Sequence, residues 1–152
     1  MTENAIISIH TVHNAEEDSV DFVTEGVYSF RDGEISVVYR ESDVTGMEGT
    51  RTVISFRPEE IVLDRDGMIV SRMVFRQGVT NKLLYETPFG NTEMGINTLR
   101  IVQSFGEAGG FAEIDYVIGI QHRAFTEAKL VIRVEKQGEE TDESYSGCER
   151  TD

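Results

Sequence analysis

The chain has 152 residues, of which 28 are acidic and 14 basic, and its formal charge is -14. That length sets one domain able to bury about two-thirds of its extended-chain surface. With 39% hydrophobic residues and a mean hydropathy of -0.28, the composition is globular, neither disordered nor membrane-embedded. Nucleic acid and anionic membranes are excluded as expected partners, because both recruit clustered Lys and Arg, which are scarce here. No apolar run approaches the ~20 residues of a membrane helix, and the opening Met1-Thr2-Glu3-Asn4-Ala5 has neither the basic nor the apolar region of a secretory leader. The single Cys148 cannot form an internal disulfide, so a reducing, cytoplasmic location is expected.

Alternation with a period of two runs along the chain and predicts half-buried strands. Strands are expected near residues 5–13, 20–30, 34–42, 50–56, 60–65, 68–77, 80–87, 91–104, 111–121 and 124–137. Some of these runs can be one bent strand read as two, which gives about eight to ten. Glu16, Glu17 and Asp18 read as a solvated hairpin tip. Ile35, Val37 and Tyr39 alternate with Ser36, Val38 and Arg40, and Asp32-Gly33 before them is a hairpin turn signal. Arg57 to Glu60 is expected to form one helical turn, and Asp66-Gly67 a second tight hairpin. Thr87-Pro88-Phe89-Gly90 reads as a turn in which Pro fixes φ and Gly accepts a left-handed conformation.

Gly90, Asn91, Gly95 and Asn97 suggest bends that close a sheet. Gly106 to Gly110 reads as a flexible connection. After it, Ile114, Tyr116, Ile118 and Ile120 alternate with Glu113, Asp115, Val117 and Gly119, and Leu130, Ile132 and Val134 repeat the pattern. Residues 138–152 hold six acids and one base, carrying -5 of the charge and leaving -9 on the rest, with no aliphatic residue; a disordered acidic tail is expected. Short sequential connections and near-absence of helix predict an all-β fold over residues 1–137: a single antiparallel up-and-down barrel, with a sandwich as the competing arrangement.

A series of short strings carries a family likeness. They are Tyr39-Arg40-Glu41-Ser42 followed by Gly46, Thr52, Arg65-Asp66-Gly67, Met73-Val74-Phe75 with Gly78, Tyr85-Glu86-Thr87-Pro88-Phe89-Gly90, Thr98 and Ile114-Asp115-Tyr116. In order and spacing they resemble the YwiB-like bacterial proteins, an uncharacterised family with a lipocalin-like (calycin) β-barrel, over residues 35–120. The resemblance implies that barrel but no activity, since the family offers no catalytic residues to carry over. Secreted lipocalins differ: they have a Gly-x-Trp motif and disulfides, whereas this chain has no Trp and one Cys.

The residues of interest share faces with apolar ones. Tyr39 and Glu41 continue the face of Ile35 and Val37, Arg65 that of Ile61 and Leu63, and Thr52 that of Ile54 and Phe56. Tyr85 and Thr87 follow Leu83, Thr98 follows Met94 and Ile96, and Tyr116 lies between Ile114 and Ile118. If those faces line the barrel, its interior holds one acid, one arginine, three tyrosines and several threonines, and a barrel of this size is either filled or holds one small ligand. The candidate ligand-binding residues are therefore Arg65, Glu41, Tyr39, Tyr85, Tyr116 and Thr98. Arg65, with Tyr85 and Tyr116, would grip the head group of a small anionic or amphipathic molecule, because a guanidinium pairs bidentately with carboxylate or phosphate. The competing arrangement pairs Arg65 with Glu41 in a closed internal network, the usual state of buried polar groups.

Other chemistries lack support in the pattern. His10 and His13 are three apart, on opposite faces of one strand, and His122 lies at an expected hairpin tip, so no metal site is expected. No cofactor fingerprint and no catalytic motif is present, and Cys148 sits among acids that keep a thiol unreactive. Glu41 with Asp115 as an acid–base pair is opposed by alternation, which puts Asp115 on the face away from Tyr116. The expectation is a non-enzymatic protein that binds a small ligand. The alternative is a filled barrel acting as an interaction module, monomeric or homodimeric, through its strand edges or the Met47 loop (Asp43 to Gly49).

Overall fold

The structure, a computed structural model, describes residues 2–13, 18–31, 34–42, 47–120 and 125–137. Among them are ten strands and no helix. They are β1 (Thr2–His13), β2 (Asp18–Arg31), β3 (Glu34–Arg40), β4 (Arg51–Arg57), β5 (Glu60–Asp66), β6 (Ser71–Phe75), β7 (Thr80–Thr87), β8 (Gly90–Gly106), β9 (Gly109–Ile120) and β10 (Phe125–Lys136). The expected Asp32-Gly33 turn, the tip at Glu16 and Glu17, His122, Cys148 and the tail 138–152 lie outside the described residues. No helix among the described residues is long and apolar enough to cross a membrane.

Every strand pairs antiparallel with its neighbour in the chain except β6 with β7, and β1 pairs with β10 from Ala5↔Lys136 to His13↔Ala128. The sheet thus rolls into a nearly closed up-and-down barrel, as the alternation predicts. Its two edges, β6 and β7, meet along a seam that carries one isolated backbone bridge. There Val70 N donates to Glu86 O at 3.0 Å and Glu86 N to Val70 O at 2.9 Å. Lower down, Asn81 Nδ2 donates to the Val74 carbonyl at 3.2 Å, a side chain standing in for a ladder bond.

Alternation sends Ala5, Ile7, Val37, Ile54, Ile61, Phe75, Ile96, Ile114 and Ile132 into one core. One end of the barrel is closed by aromatic rings: Phe56 and Phe105 lie 4.4 Å apart, and Tyr28 packs at 6.3 Å from Phe105. The Tyr28 hydroxyl donates to the Gly106 carbonyl at 2.7 Å, satisfying its polar tip. The connection β3–β4, with the turns β5–β6 and β7–β8, lies at the other end.

Three expectations are corrected. Arg57 to Glu60 is no helical turn: Arg57 pairs with Glu60, so only Pro58 and Glu59 remain to turn the chain, and the hairpin ladder takes the backbone groups a helix would use. Gly106 to Gly110 is no flexible connection, because Gly106 pairs with Gly109 and only Glu107 and Ala108 form the turn. The strand expected at 68–77 is cut to Ser71–Phe75, since Gly67 to Val70 make the turn and the seam bridge. One irregularity is added: the β8–β9 register shifts between Thr98 and Arg100, leaving Leu99 as an exposed bulge residue.

The Asp66-Gly67 turn depends on glycine. Gly67 has a φ of 147°, and a Cβ there would run into the Gly49 carbonyl oxygen of the neighbouring connection. Gly67→Ala is expected to cost about 1–3 kcal/mol in urea unfolding. Gly95→Ala, where a Cβ meets nothing within 4 Å, is expected to leave the midpoint unchanged or raise it.

Candidate functional site

Strand register gathers the polar residues. Tyr39 pairs with Thr52, Thr52 with Arg65, and Arg65 with Ser71, so β3, β4, β5 and β6 contribute one lateral row facing the interior. Glu41, two residues beyond Tyr39, keeps the same face because its backbone N–H is held by the Thr50 carbonyl at 2.8 Å. From β8 and β9 come Thr98 and Tyr116, themselves a cross-strand pair. Tyr39, Glu41, Thr52, Thr98 and Tyr116 are buried, and the Arg65 side chain is 15% exposed.

The acid and the base meet, but loosely. Thr52 Oγ1 donates to Glu41 Oε2 at 2.5 Å, whereas Arg65 Nε stands 3.7 Å from that oxygen. The longer separation is an ion pair without a hydrogen bond. Arg65 Nη1 points instead at the Met73 thioether, 3.6 Å away, a weak acceptor. Among the described residues, Arg65 Nε, Ser71 Oγ and Thr98 Oγ1 are buried without a hydrogen-bond partner. Each such atom costs about 1–3 kcal/mol of desolvation.

The phenols report the same setting. Burial pushes the Tyr116 hydroxyl up to about 12, with the Arg65 guanidinium working against the rise. Burial, reinforced by the Glu41 charge, raises Tyr39 further, and Arg65 again opposes it. Arg65 thus acts electrostatically on both rings. Phe75 meets Tyr116 edge-on at 5.1 Å, and Phe22 meets Tyr39 at 5.8 Å, which fixes both rings from their apolar sides.

Of the residues expected to line the site, Tyr39, Glu41, Arg65, Tyr116 and Thr98 do face the interior. Tyr85 is half-buried and donates to the Met47 thioether at 3.7 Å. Thr87 serves the turn: its Oγ1 accepts from Phe89 N at 3.1 Å and donates to Gly90 O at 2.9 Å. Asp115 lies on the outer face with Arg100 and Lys129, at 3.6 and 3.8 Å, so it cannot pair with Glu41. His10 contacts Asp21 on that face, apart from the interior.

Sequence reading missed Thr50, Ser71 and Met73. Thr50 is fully buried, and its Oγ1 accepts from Ile69 N at 3.2 Å, tying the β3–β4 connection to the β5–β6 turn. Its position two before Thr52 was a usable parity signal. Ser71 likewise precedes Met73 by two, but only the Arg65 pairing reveals why it matters.

The family profile described as a domain of unknown function, DUF1934, matches residues 6–132. The chain belongs to this family. The DUF1934 barrel is similar to the crystal structure of ywiB protein from Bacillus subtilis, with a TM-score of 0.79 and 18% identity, over 89% of this chain and 92% of that one. This agrees with the likeness read from residues 35–120 and, at that identity, speaks to the fold alone. No curated protein matches the chain.

Two outcomes test the description of the DUF1934 interior. Tyr116 is held above its ordinary 10.0 in the folded state, so it stabilises fully below pH 10 and that contribution is lost as pH rises from about 10 through about 12. Ultraviolet phenolate titration should therefore show late ionisation of the buried tyrosines, joined to unfolding, and Tyr116→Phe should reduce the alkaline loss of stability. Removing the carboxylate with Glu41→Ala strands a buried guanidinium and is expected to cost about 3 kcal/mol in urea unfolding; Glu41→Gln, which keeps an acceptor for Thr52, should cost less.

Proposed function

We propose that the barrel binds one small anionic or amphipathic molecule at its polar end, with Arg65 as the anchor of the anionic group. The observation that carries this reading is the trio of buried, unpartnered atoms, Arg65 Nε, Ser71 Oγ and Thr98 Oγ1. Glu41 is too far from Arg65 for a hydrogen bond and spends one oxygen on Thr52. A carboxylate or phosphate oxygen arriving at Arg65 and Ser71 would supply acceptors that the protein itself does not. Met73, Phe75 and Ile96 are apolar neighbours suited to the body of such a molecule, and Tyr116 adds a neutral hydroxyl that remains a donor at physiological pH.

The reading is binding without turnover. Glu41 and Asp115 sit on opposite sides of the sheet, so among the described residues these two carboxylates do not share general acid–base work. The single cysteine in the sequence supports a reducing compartment, hence a cytoplasmic site of action. A second reading, binding of a protein partner, is favoured by Phe89, which is 98% exposed.

The test is thermal shift of delipidated protein against alkyl and aryl carboxylates and phosphates. At a ligand concentration of about 100 Kd the stabilisation is about 2.7 kcal/mol, or about 5–10 °C for a domain of this length. Arg65→Gln should abolish the shift, while Lys82→Glu on the outer face should retain it. A panel without any shift, and no co-purifying mass in native mass spectrometry, would overturn the reading.

A further inference from the structure

The β7–β8 hairpin carries both a knob and a hole on the outside of the barrel. The knob is Phe89, at the tip. Pro88 restricts its turn, and Thr87 Oγ1 bonds both Phe89 N and Gly90 O, so the ring is presented on a fixed support. The hole is a mostly apolar depression of about 720 Å³ over β7, β8 and β9. Its floor runs across Gly95 and Gly119, which pair directly and leave two neighbouring strands without side chains. Leu84 and Val117 flank it, and a Cβ on Gly95 would meet nothing within 4 Å, so the space above the floor is open.

Lys82 and Glu93 both stand on the wall of the hole, and Glu86 lies three residues before the knob. Among the described residues neither Lys82 nor Glu86 joins an ion pair, although Arg72, Arg76, Arg100, Lys129 and Lys136 all do. Glu93 leaves the hole itself near neutral, so the complementarity is confined to one pairing, Lys82 of one copy with Glu86 of the other.

We propose that this face joins two copies of the chain about a two-fold axis. Each Phe89 seats in the other copy's Gly95–Gly119 depression, and each Lys82 meets the other copy's Glu86. A second copy fits better than an unrelated partner because knob and hole lie on one hairpin. Two-fold symmetry fills both at once and makes every contact twice, and each ring buries about 150–250 Å². This surface is separate from the interior site, so it stands or falls independently of ligand binding.

Sedimentation equilibrium of the full chain tests it, with circular dichroism to confirm folding of each variant. At about 100 μM the wild type is expected at twice the chain mass of 17.1 kDa. Phe89→Ser and Gly95→Val, both on the outer surface, are each expected at the single mass. Lys82→Glu should also dissociate the pair, and adding Glu86→Lys should restore it. A wild type that stays at the single mass, a dimer that survives either Phe89→Ser or Gly95→Val, or a charge swap that fails to restore association would overturn the proposal.

Discussion

The ladder between the first strand and the last is the contact on which everything else rests. Up to that point the chain is a meander, each strand laid against the one before it, and a meander has two free edges and an exposed inner face. Pairing Ala5 to His13 with Ala128 to Lys136 closes one side and forces the sheet to curl. Only in a curled sheet does the row from β3 to β6 come to face Thr98 and Tyr116 on β8 and β9. Closure also joins residues more than a hundred positions apart, so its entropy must be met before the core offers much in return. The hairpins are cheap and local; the barrel is a collective decision.

Inside that barrel, two kinds of polar residue behave differently. Thr50, Thr52 and the Tyr28 hydroxyl each hold a hydrogen bond and act as fasteners between connections and strands. Arg65 Nε, Ser71 Oγ and Thr98 Oγ1 are buried without a hydrogen-bond partner. An arginine whose Nε is close to a carboxylate yet outside hydrogen-bond range enjoys attraction without full compensation for lost water. The aromatic closure of the opposite end shows that this chain can fill an interior tightly. The looseness around Arg65 is therefore local to the polar end.

Much of this was readable in the sequence because parity is a strong constraint. Once Val37 and Ile54 are assigned inward, Tyr39 and Thr52 must follow, and the same step placed Glu41, Arg65 and Tyr116 correctly. Alternation cannot say which strands meet, so the row linking Arg65 to Ser71 stayed hidden. Composition misled at the two hairpins where proline, glutamate or repeated glycine suggested helix or slack: backbone pairing of Arg57 with Glu60 and Gly106 with Gly109 left no room for either. Alternation puts Tyr85 on the inner face but does not name its partner, because Met47 lies in a segment without a period of its own. The turn signal at Phe89 says nothing of its exposure, since a pattern of residue types does not distinguish a covered ring from a bare one.

The seam between β6 and β7 gives the barrel a direction in which to breathe. A cylinder held by ten equal ladders would have to rupture a whole ladder to open anywhere. This one has nine ladders and a single clasp, the Val70–Glu86 bridge, backed by one asparagine side chain. Small openings will therefore begin as a longitudinal split at that clasp, with the β1–β10 ladder acting as the spine. The residues that such a split would uncover first are Ser71 and Met73 on one lip and Leu83 and Tyr85 on the other. The weakest line in the wall thus runs beside Arg65, the most polar point of the interior, so access to that point need not pass through either end of the barrel.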